Sequence, residues 1–389
     1  MRLFGICLAA SIAAALPGVS FASSGTLPEA PQLEAVVASA LQTYAVPGAA
    51  IGVWTPNGHW IMASGLADVA SGTRVRRNDH FGIRSITKSF TVTLVLQLVA
   101  ASNGAISLDD PISKYLQGVP DGDAITLRQL ANMTSGLFNY TASRAFQQVF
   151  ITDLTRAWTP DELLWYAFND PSHKPVNFSP GSRFEYSNTN TLLLGKFVEA
   201  VTGKPFAEVL AEKILDPLNL AATAFLSGTT LPSPASHGYQ GETEDGVPDD
   251  VVINLSALSF AGAMATTLHD LAEWGRALAQ GTLLPGDLQS QRFIARPTAS
   301  DPASPIYDSY GLGIGEVAGW WGHTGEALGF EAAVFHQPVR DETFVVLLNA
   351  SNAHDVPVRI FCEVLAVLGE SPAATSGSVC VPGSDLDRR

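Results

Sequence analysis

Ser85-Ile86-Thr87-Lys88-Ser89-Phe90 stands at the mouth of a strongly apolar stretch, Val92, Leu94, Val95, Leu96, Leu98 and Val99, that ends at Asn103-Gly104. It is the one place in the chain where this spacing coincides with the start of such a helix. A serine hydroxyl is a weak nucleophile at neutral pH and needs a base within hydrogen-bond reach; a lysine three positions later on a helix lies on the same face, one turn away. The helix has almost no polar face, which predicts a central, buried element, and a lysine inside it needs a partner. A plainer reading also fits the six residues alone, with Ser85 as a helix cap and Lys88 as a solvated first-turn lysine. Ser85 also sits at the positive end of the helix dipole, where a developing oxyanion is favoured.

Two further stretches carry chemistry. Ser179-Pro180-Gly181-Ser182-Arg183-Phe184-Glu185-Tyr186-Ser187-Asn188 delivers Tyr186 and Asn188 just ahead of a helix expected from Thr191 to Val201. A phenol titrates near ~10 in water, so Tyr186 can act as a base only beside a cation such as Lys88. Asn188 offers both a donor and an acceptor, which suits it to a substrate amide. Trp320-Trp321-Gly322-His323-Thr324-Gly325-Glu326 reads as a turn before a strand-like run, where glycines allow close approach of a ligand and exposed N–H groups can complete an oxyanion hole. Taken singly, a packed tyrosine and a satisfied turn histidine account for these residues equally well.

The surrounding pattern predicts a mixed α/β chain. Ala49–Trp54 and Trp60–Ala63 flank Pro56-Asn57-Gly58, a hairpin signal because Asn-Gly accepts positive φ. Helices are expected at Leu33–Leu41, after Thr126, after the capping box Thr159-Pro160-Asp161-Glu162, at Phe206–Leu215 and at Leu268–Ala279. Strands return at Glu331–Phe335 and Thr343–Leu348, followed by an amphipathic helix from about Val356 to Leu368. This order implies an α/β lobe built from about 30–84 and 260–369 and a helical lobe from about 85–259, with a tail at 370–389.

With 389 residues, 46% hydrophobic and 15% charged, the chain can bury a large single core. The net charge of −15 and the lack of Lys/Arg runs argue against nucleic acid or an anionic membrane as partner. Residues 1–22 have the basic start, apolar run and small-residue exit of a secretory signal, with cleavage expected after Ala22; Leu3–Leu16 is shorter than the ~20 residues of a membrane span. The expected location is therefore periplasmic or secreted. An exported chain retains Cys362 and Cys380, which can pair or stay free. None of the eight histidines is spaced His-x-x-x-His, and no metal or cofactor is expected.

Ser85-x-x-Lys88, Tyr186-Ser-Asn188 and His323-Thr-Gly325 occur in the order of the three motifs of the serine β-lactamase and DD-peptidase superfamily. The chain resembles its class C-related branch, especially secreted D-alanyl-D-alanine carboxypeptidases, over roughly residues 33–369. The resemblance implies an antiparallel sheet flanked by helices, a helical lobe and a site between them. It also implies an acyl-enzyme on Ser85, with Lys88 and Tyr186 sharing acid-base work in an order left open. Backbone N–H groups of Ser85 and Glu326 would hold the oxyanion; Asn188, His323, Thr324 and Gly325 would position a small-molecule or peptide substrate, a D-amino-acid peptide, β-lactam or ester. Two departures stand out: Tyr310 to Gly319 contains no arginine for a free substrate carboxylate, and Glu326 adds a negative charge there. Both favour a D-aminopeptidase, amidase or esterase as the competing reading. A non-catalytic scaffold or sensor on the same fold is the reading from another class, and the oligomeric state is left open.

Overall fold

A nine-stranded antiparallel sheet joins the two ends of the chain. The computed structural model describes residues 25–242, 248–299, 301, 304–370 and 379–380; the leader at 1–22 lies outside them. Across the sheet the strands run Thr73–Arg74, Gly58–Asp68, Gly48–Thr55, Glu342–Leu348, Phe330–Gln337, Trp320–Ala327, Gly315–Val317, Ser309–Tyr310 and Arg296–Pro297. The seam between early and late strands is Gly48–Thr55 against Glu342–Leu348, with Ala49 opposite Leu348 and Trp54 opposite Thr343.

Both central strands are nearly continuous apolar runs because helices cover both faces of the sheet. Side chains alternate between the two covers. Val346 and Leu348 join Leu33 and Val37 of helix Ala30–Thr43 and Phe361 and Val364 of helix Val356–Val367. Val345 and Leu347 join Leu271 and Trp274 of helix Leu268–Gln280. That last helix lies very close to the sheet: a Cβ on Gly275 would meet Val334 Cγ2 at 2.2 Å.

The apolar helix behind Ser85 spans Thr87–Ala101, and Thr87 to Leu96 are all buried. The hydroxyls of Ser89, Thr91 and Thr93 find acceptors inside the protein, whereas Thr87 Oγ1 has no hydrogen-bond partner among the described residues. Ser89 Oγ donates to the Ile86 carbonyl at 2.6 Å and accepts from Trp274 Nε1 at 2.9 Å, while Thr91 Oγ1 donates to the Phe260 carbonyl at 2.8 Å. Phe90 stacks on Trp274 at 3.8 Å between centroids, so the helix is pinned to the sheet-covering layer. Helix Asn188–Thr202 packs on its other side.

Several elements differ from the sequence reading. The third motif is not a turn: it occupies the strand Trp320–Ala327, whose glycines and polar residues dilute the usual strand composition. The helix after Tyr186 starts at Asn188, three residues before Thr191, because Asn139 Oδ1 accepts the Asn188 N–H at 3.1 Å and caps it from a distant loop. The first hairpin turns on Pro56 and Asn57, with Thr55 opposite Gly58, and neither Asn57 nor Gly58 has positive φ. The helix from Phe206 is α only to Leu210 and continues as a π-turn, Ala211–Leu215. The middle of the chain also contributes short strands at Ala224–Phe225 and Tyr239–Glu242. Cys362, in the last helix, is bonded to Cys380 across a Cα–Cα distance of 5.2 Å.

Two outcomes follow from this packing. Gly275→Ala is expected to lower stability by about 1–3 kcal/mol in denaturant unfolding, the usual cost of overpacking, with the far-UV spectrum unchanged. Intact mass of the oxidised protein lacking residues 1–22, and with them Cys7, is expected to stay the same after thiol alkylation without reductant and to rise by two adducts after reduction.

Candidate active site

Ser85 lies in a 3-10 turn, Arg84–Ile86, that feeds directly into the buried helix. The turn is held in an unusual shape: Arg84 has φ of +49°, a region that L side chains seldom occupy and that recurs at functional sites. One helical turn on, Lys88 Nζ donates to Ser85 Oγ at 2.8 Å and to the Ala261 carbonyl at 2.9 Å. Lys88 has no exposed surface. Burial drives its pKa well below the ordinary lysine value, because the charged form has lost its water and gains no carboxylate in exchange. The solvated-lysine alternative is thereby excluded by its position.

Tyr186 reaches the same point from the other side. Lys88 Nζ stands 5.0 Å over the centre of its ring, and its backbone N–H donates to Asp301 Oδ2 at 2.8 Å. Its buried hydroxyl has no hydrogen bond of good geometry. Burial pushes its pKa well above 10, repulsion from Tyr307 adds to this, and the nearby Ser85 hydroxyl offsets only part of it. Lysine is thus biased towards the neutral amine and tyrosine towards the neutral phenol, which puts a proton acceptor and a proton donor on either side of one serine.

The third strand closes the site. A Cβ on Gly325 would fall 2.1 Å from the Ile83 carbonyl oxygen, so only glycine lets the strand come this close to the turn carrying Ser85. Ser85, Tyr186, Asn188, Thr324, Gly325 and Glu326 share the wall of one cavity of about 940 Å³. Asn188 is further tied by its side-chain amide, which donates to Thr141 Oγ1 at 3.1 Å.

His323 is not on that wall. It is fully buried behind it, with Nε2 2.9 Å from Tyr310 Oη and Nδ1 2.6 Å from the Thr324 carbonyl. A carbonyl can only accept, so Nδ1 carries the ring proton and Nε2 accepts from Tyr310. Burial, and then the charge of Lys88, lower its pKa to about 3, which leaves it neutral. Tyr307 completes the assembly: its hydroxyl accepts the Thr324 N–H at 2.8 Å and lies 2.8 Å from Thr324 Oγ1. Tyr310 meets Tyr186 edge to face at 6.2 Å. The histidine therefore sits within a tyrosine lattice that backs Tyr186 and Thr324, one layer from any ligand.

The sequence reading missed a second part of the wall. Glu331, Asp355, His354 and Arg359 face the cavity beside Glu326. Glu326 bonds to His354 Nδ1, and burial raises its pKa. Glu331 is 1% exposed, and burial followed by repulsion from Glu326 and Asp355 raises its pKa to about 10, so it is a neutral acid at neutral pH. Arg359 belongs to the last helix and not to the Tyr310–Gly319 segment, which has no arginine. These residues lie far from the three motifs in sequence, and no local pattern marks them. Among the described residues no group of three or more His, Cys, Asp or Glu side chains is arranged to hold a metal ion, and no helix is long and apolar enough to cross a membrane.

Comparison with known proteins accords with this geometry. A D-aminopeptidase from Brucella ovis is 27% identical over 363 residues, which cover 91% of this chain and 65% of that protein. The chain thus spans slightly less than two thirds of the length of that curated relative. A solved D-stereospecific amidohydrolase from Streptomyces sp. is 32% identical, with a TM-score of 0.73 over 87% of this chain and 99% of that one. A D-amino acid amidase from Ochrobactrum anthropi shares the fold, with a TM-score of 0.74 over 87% of this chain and 98% of that one at 24% identity. The Beta-lactamase family model matches residues 33–361, and with this architecture the chain belongs to that family of serine hydrolases.

Proposed function

We propose that the protein is an acyl-enzyme amidohydrolase that releases or deamidates N-terminal D-amino acids, acting on D-amino-acid amides and short peptides with a free α-ammonium group. The observation that carries this reading is the carboxylate wall. Glu326 adjoins the oxyanion position, with Asp355 and the neutral Glu331 beside it, so the cavity favours a cationic substrate end. The names of the 27% and 32% identical relatives point the same way.

In the proposed mechanism, Lys88 takes the Ser85 proton as Ser85 Oγ attacks the substrate carbonyl carbon. Its depressed pKa and 2.8 Å contact make it the first base, and Tyr186, held as a phenol, gives its proton to the leaving amine. Backbone N–H groups of Ser85 and Glu326 receive the oxyanion. Water then attacks the acyl carbon as the Tyr186 phenolate takes its proton, and the Lys88 ammonium returns a proton to Ser85 Oγ as the ester bond breaks, which releases the acid and restores the starting state. Asn188 and Thr324 orient the substrate amide, and the leader at 1–22 supports export to the periplasm or medium.

One observation favours a second reading. Arg359 on the cavity wall could pair with a free substrate carboxylate, as a D-alanyl-D-alanine carboxypeptidase requires. Assays with D-alanine amide, its N-acetyl derivative and an N-acylated peptide ending in D-Ala-D-Ala separate the two. Fast turnover of the free-amine amide is expected, with Glu326→Gln raising its KM by roughly fivefold, the effect of about 1 kcal/mol for a partly solvated charge pair. Preferred release of D-alanine from the acylated peptide, abolished in Arg359→Ala, would establish the carboxypeptidase instead.

The acid-base assignment has its own test. Tyr186→Phe is expected to slow amide turnover by 10²–10⁴-fold, the usual range for a lost general acid, while sparing acylation by a p-nitrophenyl ester, whose leaving group needs no proton. Lys88→Met should abolish both. In the wild type, kcat/KM should rise with pH through an apparent pKa below the ordinary lysine value, because Lys88 must lose its proton to act. Equal loss of ester and amide turnover in Tyr186→Phe would reverse the assignment.

A further inference from the structure

Among the described residues, Arg84 is a buried cation without a charged partner. It is 2% exposed, and only Nη2 finds an acceptor, the Leu328 carbonyl at 2.6 Å. Nε and Nη1 are buried and make no hydrogen bond. The guanidinium carbon stands over Phe330, 5.0 Å from the ring centre, and a Cβ on Gly82 would come within 3.2 Å of it. Burial lowers its pKa to about 9 with no opposing charge to restore it. Removing a guanidinium from water without a counter-ion is costly, and native proteins rarely accept that cost without a ligand or a pair.

The same arginine lines a cavity of about 420 Å³ whose lining residues are all different from those of the catalytic cavity. Ser236 also lines it; its hydroxyl is buried and unpartnered. Leu231, Ile253, Leu255 and Phe330 supply apolar wall. The acid there, Asp250, is engaged with His237 Nδ1 at 3.0 Å. Two guanidinium nitrogens and one hydroxyl without partners thus belong to residues that line a space with a mixed polar and apolar wall. We propose that this cavity is a second binding site, separate from the catalytic one, for a small monocarboxylate whose carboxyl pairs with Arg84 and Ser236 and whose short alkyl chain lies on Leu231, Ile253 and Phe330. A single arginine with Asp250 close by suits one negative charge better than two. The proposal does not depend on which substrate the catalytic site takes.

Isothermal titration of the full chain with sodium butyrate at constant ionic strength is the direct test, run beside inorganic phosphate and chloride. Butyrate is expected to bind one site, with Kd raised roughly tenfold or more in Arg84→Gln, the order expected for losing a charged hydrogen bond. Ser85→Ala should bind it unchanged, because the catalytic serine is not part of the site. Leu231→Phe, which fills the cavity while leaving Arg84 intact, should weaken binding by a similar factor and carries the test if Arg84→Gln does not fold. Butyrate binding that is absent in the wild type, insensitive to Leu231→Phe, lost in Ser85→Ala, or replaced by phosphate binding would overturn the proposal.

Discussion

The burial of one amine governs the site. Lys88 has no contact with water, and its Nζ has only the Ser85 hydroxyl and the Ala261 carbonyl to bond. Burial disfavours the ammonium form, so the fold biases this side chain towards the free amine. This arrangement requires everything around it to stay dry and rigid. The helix must be apolar on nearly all sides, the hydroxyls of Ser89, Thr91 and Thr93 must find acceptors within the protein, and the segment through Ala261 must bring a carbonyl to the helix. The bend before Ala261, where Ser259 adopts φ of +44°, shows that the chain tolerates backbone strain to do so.

A second layer keeps the reacting groups in place. Tyr307, Tyr310 and His323 form a buried hydrogen-bonded group in which each polar atom faced by a neighbour has a compatible role, and its edge rests on Tyr186. A neutral histidine serves here as a donor and acceptor of fixed direction. Its burial keeps the ring neutral, so its hydrogen-bond directions to Tyr310 and the Thr324 carbonyl stay fixed. The cavity wall then divides by charge: proton-transfer groups on one side, and on the other Glu326, Glu331 and Asp355 with Arg359 and His354.

Much of this was legible in the residues. The serine and lysine, the tyrosine and asparagine, and the threonine and glycine lie in three short stretches, each with local chemistry that helix spacing or turn propensity makes readable. Their meeting at one cavity follows the order of the motifs. His323 shows where local reading stops: its place in a motif says nothing of which way its ring points, and in the strand Trp320–Ala327 it points into the core. Glu331, Asp355 and Arg359 were not recoverable in the same way. Glu331 reads as a polar residue in a strand and Arg359 as a surface residue of an amphipathic helix, and only the docking of the last helix beside the Phe330–Gln337 strand turns both towards the substrate. The cation on the cavity wall comes from the last helix and not from the Tyr310–Gly319 segment.

The sequence alone determined the α/β class, the buried helix and the pairing of Ser85 with Lys88 one turn on, because helical periodicity and hydrophobic patterning act over a few residues and leave a local trace. Tertiary structure decided which groups carry charge and which face the ligand. Those properties depend on desolvation and on the approach of segments hundreds of residues apart, such as Gly325 against Ile83 and Arg359 beside Glu331, and no single stretch of chain encodes them.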